Sequence, residues 1–216
     1  MPRASVVVVG GGPVGMTVAT LLAQYGVTCA VVERHHRPYP MPRAVHLDGA
    51  AVRVLQQLGL AAEFAAISRP ATGLRLLDAR LRPFVVVDRD TSPGPQGHPE
   101  ANLFDQPELE ALLRTNLSRY PEVTVRGGTV VTGVEPDGDA AVVTVRDATT
   151  GAVERWLAQA VLGCDGAEST VRSAIGAHLD DLGFFPDAPA RDQRRPRQAG
   201  PPRRAHRAVD RPPRAR

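Results

Sequence analysis

The chain has 216 residues, 43% of them apolar and 23% charged, with a formal net charge of +3. That length and apolar content suffice for one or two folded domains and exclude a chain too polar to build a core. The basicity is confined to one end: residues 184–216 hold ten arginines against three acids, whereas residues 1–183 hold sixteen against twenty.

Residues 6–9, four valines, read as a buried strand, and Gly10-x-Gly12-x-x-Gly15 turns from it straight into an apolar helix with Pro13 at its first position. Gly10 permits the tight turn, Gly12 lets backbone approach a pyrophosphate, and Gly15 lets the helix pack on the strand. The helix start offers that pyrophosphate free N–H groups and a positive dipole end. The helix is predicted over 13–25, with Met16, Ala19, Leu22 and Ala23 on one face. A second strand over 28–33 ends on Glu33, twenty-three residues after Gly10, where an acid accepts hydrogen bonds from a ribose. Strand, glycines, helix, strand and acid in register predict a dinucleotide site.

Pro38, Pro40 and Pro42 force an extended loop, bracketed by Arg34, Arg37 and Arg43. Beside a pyrophosphate site, Arg43 is the candidate phosphate contact, because a planar guanidinium matches phosphate oxygens in pairs. His35, His36 and His46 lack metal-ligand spacing and read as surface or loop residues, so no metal is expected. Ala50, Val54, Leu55 and Leu58 mark the next helix, stopped near Gly59. Residues 73–90 alternate like two strands with a turn near 79–83, and 91–99 is a Pro/Gly loop. Asp105-Gln106-Pro107-Glu108 reads as a helix start with Asp105 as cap, and Leu109, Leu112, Leu113 and Leu117 as the apolar face.

From residue 123 the pattern turns to strands, predicted as a β-meander attached to the parallel sheet, with turns at 137–138 and 149–151. A separate buried parallel strand is expected at 160–164. Asp165-Gly166 follows, then Ser169 as the cap of a short helix over 171–175, closed by Gly176. Cys29 and Cys164 are expected to be small buried hydrophobes. The apolar run 14–32 is interrupted by Thr17, Thr20, Gln24, Gly26 and Thr28, so it is not read as a membrane span. With no secretory signal pattern, the chain is expected to be cytoplasmic.

Three stretches together carry a resemblance: GGGPVG with the Glu33-Arg34 pair, PRAVHLDGAAVRVLQQLGL with LFDQPELEALL, and CDGAESTVR. They resemble the single-component FAD-dependent aromatic-ring hydroxylases, flavoprotein monooxygenases related to p-hydroxybenzoate hydroxylase. Within these the chain looks most like the 3-(3-hydroxyphenyl)propionate hydroxylases and the polyketide hydroxylases, over about residues 4–183. The resemblance implies an α/β fold: a Rossmann-like FAD-binding βαβ sheet, a β-meander and part of a substrate-domain sheet. The implied domains are an FAD-binding domain over 1–183, with a partial substrate-domain insertion at about 73–103, and a tail over 184–216.

By position, Gly10, Gly12, Pro13, Gly15 and Glu33 would hold the pyrophosphate and adenosine ribose of FAD. Arg34 would lie at the adenosine end, and the backbone at Val131 would meet the adenine. Arg43 and Gln106 would contact the flavin side. Asp165 would sit near the ribityl and pyrophosphate groups, where NAD(P)H is also handled. The implied partners are a small phenolic or polyketide aromatic substrate and dioxygen, with the cofactor supplying the chemistry, so no catalytic side chain is assigned. The residues alone also fit a non-catalytic binder of FAD or ADP-ribose, or an NAD-linked dehydrogenase, although the Asp165-Gly166 and Arg43 regions argue against the latter.

Residues 184–216 contain seven prolines and too little apolar surface to offset ordering entropy, so a disordered tail is expected. A GC-rich gene read out of frame would give the same mixture of Arg, Pro, Ala and Gly. Family members continue with a substrate-binding sheet and a second Gly-Asp motif, and neither is read in 184–216. A truncated, inactive chain is therefore the expectation. Neither a membrane nor a nucleic acid is an expected partner, despite the basic tail.

Overall fold

The four valines at 6–9 alternate their side chains between two covered faces, which is why no polar residue interrupts them. They belong to β1 (Arg3–Val9) of a computed structural model that describes residues 1–37 and 44–180. α1 (Pro13–Gln24) and β2 (Cys29–Glu33) complete the first βαβ unit. There follow β3 (His46–Leu47), α2 (Gly49–Gln57), α3 (Ala61–Ile67), β4 (Ser68–Pro70), β5 (Gly73–Leu77) and β6 (Pro83–Asp88). The chain continues through β7 (Asn102–Phe104), α4 (Gln106–Leu117), β8 (Val123–Gly127), β9 (Thr129–Asp137), β10 (Ala140–Asp147), β11 (Val153–Gly163) and α5 (Thr170–Ala174).

The main sheet has the order β8-β2-β1-β11-β10-β9, parallel from β8 to β11 and antiparallel from β11 to β9. Val6 and Val8 pack with Met16, Ala19, Val31, Leu109 and Leu113 against the helices. Val7 and Val9 pack on the other face with Val32, Val143, Val145, Trp156 and Val171. Each buried valine, leucine or methionine among them contributes about 1.5–3 kcal/mol relative to exposure. A three-stranded sheet, β3-β7-β4, and the β5-β6 hairpin stand apart from this sheet.

The α/β reading holds, with four corrections. The runs at 153–158 and 160–164 form one strand: β11 pairs antiparallel with β10 up to Ala158 and parallel with β1 from Leu157 onward. Ala158, fully buried, faces Ala4 on one side and Ala141 on the other. The stretch at 123–127 is not meander but the outer parallel neighbour of β2. On α2 the buried face is Val52 and Leu55, continued by Leu58, while Ala50 is exposed; α3, which buries Phe64, falls in a stretch read without an element. Finally, Asp105 stands at the N-cap of α4, but its side chain makes no cap bond.

Both strands of the β5-β6 hairpin are exposed along their whole length, Leu77, Phe84 and Val86 among them. Met1–His178 cluster as one unit. Arg43 and the Arg/Pro-rich segment 184–216 lie outside the described residues. Among the described residues, no helix is long and apolar enough to cross a membrane, and no cluster of His, Cys, Asp or Glu could hold a metal ion.

Candidate functional site

β1 pairs β2 on one side and β11 on the other, so the chain reverses its winding at the carboxyl end of β1. Such a switch point opens a crevice in open α/β sheets. Here a cleft of about 310 Å³ opens there, floored by Val9 through Val14. The loop is held from below: the Gly10 amide donates to the Val32 carbonyl at 2.8 Å and the Cys164 amide to the Val9 carbonyl at 2.7 Å.

The three glycines of the motif differ in what surrounds them. Gly10 has φ +104°, and a Cβ there would collide with the Cys164 carbonyl. At Gly15 a Cβ would run into the Gly10 carbonyl, so only glycine lets α1 start this close to the turn. Gly12 has an ordinary extended backbone, φ −77°, and a Cβ there would meet nothing within 4 Å. Gly12 is therefore bare toward open cleft, as a backbone cradle for a bulky group requires. Pro13 fills the first position of α1, and no side chain caps that end, which leaves first-turn amides without intrahelical acceptors.

Glu33 forms one wall. Its Oε2 accepts from the Gly11 amide at 2.7 Å and its Oε1 from the His35 amide at 2.8 Å. Arg34 borders the cleft and donates from Nε to His35 Nε2 at 3.2 Å; Arg37 borders it too. Val131, on β9, packs its side chain into the second core layer and also borders the cleft. Gln106, at the start of α4, accepts from the Ala44 amide at 2.9 Å and donates to Glu110 at 2.9 Å, tying the chain at Ala44 to the helix.

Asp165 closes the far side. Its carboxylate accepts from the Ser169 hydroxyl at 2.5 Å and from the Thr170 and Val171 amides at 2.6 and 3.4 Å. Ser169 in turn accepts from the Arg172 amide at 3.0 Å, the cap expected of it. Asp165 thus anchors α5 as well as bordering the cleft. Cys164, expected to be buried, is instead half-buried at the cleft edge. Burial, and secondarily the neighbouring Asp165 charge, pushes its thiol pKa up.

Eight of the ten residues expected to hold the cofactor line this cleft; Gly15 packs beneath the turn rather than on the cleft surface, and Arg43 lies outside the described residues. Among the lining residues to which the sequence reading gave no site role, two stand on α4, Glu110 and Arg114. With Gln106 they recur every fourth residue, beside the leucine stripe. A polar stripe of that spacing ordinarily faces solvent, and only the fold shows that Glu110 is 5% exposed.

The FAD binding domain family matches residues 3–183. A probable NADH-specific resorcinol 4-hydroxylase of Rhodococcus jostii is 34% identical over 83% of this chain and 34% of its own length. A 3-(3-hydroxy-phenyl)propionate/3-hydroxycinnamic acid hydroxylase of Burkholderia cenocepacia is 38% identical over 82% of this chain and 32% of its own. The flavin-dependent monooxygenase PieE, solved with FAD and substrate, superposes with a TM-score of 0.74 at 27% identity, over 83% of this chain and 33% of that one. The chain spans about a third of the length of the curated relatives it matches. By this match and by its fold, the chain belongs to the FAD binding domain family of aromatic-hydroxylase-type flavoprotein monooxygenases.

Proposed function

We propose that this chain holds FAD for an NAD(P)H-dependent monooxygenase that hydroxylates a phenolic or polyketide aromatic ring with dioxygen. The observation that carries the reading is Gly12, bare toward the cleft at an uncapped helix start, with the Glu33 carboxylate close by. In this reading Gly10, Gly12, Pro13 and Gly15 shape the pyrophosphate loop. Glu33 has about four acceptor sites, of which the Gly11 and His35 amides take two, leaving capacity for ribose hydroxyls. Arg34 and the Val131 backbone border the adenosine end. Gln106 and Arg43 serve the flavin side. Asp165 orients the middle of the cofactor through the α5 start that it anchors. When bound, FAD supplies the redox chemistry and oxygen activation; the residues described bind it, orient it and shield it from water.

We assign residues 1–183 to the FAD-binding domain and the insertion at about 73–103 to a substrate domain, a reading supported by the hairpin's exposure along both strands. The two free thiols support a reducing, cytoplasmic location. The test is a titration of the purified chain with FAD, followed by NADH or NADPH under anaerobic conditions and then by resorcinol or 3-(3-hydroxyphenyl)propionate in air. Saturable FAD binding is expected, and hydroxylated product would establish the activity. A colourless protein that binds NADH tightly and ignores FAD would support a dehydrogenase and refute the proposal.

A further inference from the structure

Arg114 approaches the phosphate loop from the opposite wall. Its Nη2 donates to the Gly11 carbonyl at 3.2 Å, although the two residues lie 103 positions apart. Its Nε is buried and has no hydrogen-bond partner, the one such side-chain atom among the described residues. No carboxylate forms an ion pair with it among those residues, even though Glu110 lies one turn earlier on the same helix and lines the same cleft. Arg114 as a whole is half-buried, but a buried Nε donor left unsatisfied, on a guanidinium with no ion-pair partner among those residues, is costly. It fits a site whose occupant brings the negative charge.

The hydrogen bond has a geometric consequence. The Gly11 carbonyl and the Gly12 amide belong to one planar trans peptide, so fixing the carbonyl toward α4 directs the Gly12 N–H the opposite way. Gly11 is held at both ends, its amide by Glu33 at 2.7 Å and its carbonyl by Arg114. Glycine on both sides of that peptide would otherwise let it flip readily.

We propose that Arg114 is a positioning and selectivity residue of the cleft. It locks the Gly11–Gly12 peptide and supplies the cation that selects a pyrophosphate-bearing ligand over a neutral nucleoside. This rests on the proposed FAD site. It assigns to α4 a share of phosphate recognition that the glycine motif alone does not carry.

The test measures FAD, ADP and adenosine binding to the full chain and to Arg114→Met, Arg114→Gln and Arg114→Lys, with a thermal melt of each. In Arg114→Met, affinity for FAD and ADP should fall about 10- to 100-fold, the effect of one charge-assisted contact, while adenosine binding stays unchanged. Lys should recover part of the ADP affinity, and ADP binding should lose part of its salt dependence in the Met and Gln variants. Gln can still donate to the Gly11 carbonyl and keeps the question open to measurement if Met fails to fold. Equal losses for ADP and adenosine would reduce Arg114 to a structural role and overturn the proposal. Unchanged ADP affinity in Arg114→Met would do the same. Failure of the unaltered chain to bind FAD would instead sink the site reading on which the proposal rests.

Discussion

Two alanine substitutions three residues apart in one motif, at Gly12 and Gly15, should have opposite signatures. At Gly15, inside α1, alanine gains about 1 kcal/mol of helix propensity. The new Cβ, however, meets the backbone carbonyl of Gly10, which no rotamer change can move aside. Overpacking of this kind costs about 1–3 kcal/mol, and more where both sides are backbone. The net result should be a loss of about 1–2 kcal/mol, read as a fall in melting temperature of roughly 2–8 °C. At Gly12 the added Cβ meets nothing within 4 Å, and φ −77° suits any L-residue. Stability should then drop by only about 0.5 kcal/mol, because alanine is a poorer N-cap residue than glycine. Its methyl group, however, occupies the space through which a pyrophosphate would reach the backbone. Losing one charge-assisted hydrogen bond there corresponds to about a 10- to 100-fold weaker FAD affinity. Thermal melts and FAD fluorescence titrations of both variants separate the effects. A Gly12→Ala protein that binds FAD as tightly as the unaltered chain would refute the argument.

Two further outcomes follow from the titratable groups. The Asp147 carboxylate accepts from the Thr150 amide, then from the Thr149 amide and the Thr150 hydroxyl, which hold its pKa below the usual 3.8. Its contribution to stability is therefore fully present above pH 3.8 and is lost as pH falls through the lower folded value; Asp147→Asn should flatten that acid limb in pH-dependent melts. Cys164, with its thiol pKa raised, should be alkylated slowly at neutral pH and faster as pH climbs past 9, and FAD should protect it, as peptide mass spectrometry would show.

The sequence by itself determined the first βαβ unit, its glycines and Glu33, because each requirement there is local. Alternating burial needs a valine run, a turn at φ +104° needs glycine, and a helix start tolerates proline. The same holds for the Ser169 cap, whose partner lies three residues away. What only the tertiary structure decided are the choices made across the chain. β11 serves two sheet neighbours because Ala158 is small enough to be enclosed between Ala4 and Ala141, and two apolar runs read separately cannot reveal that they share one strand. β8 leaves the meander because the outer edge of β2 offers it a parallel partner. Nothing local singles out Glu110 and Arg114 among the polar residues of α4; only the packing of α4 beside the glycine turn brings them to the cleft. The Gly11 carbonyl that gives Arg114 its place comes from a peptide 103 residues earlier, and no local pattern encodes that meeting.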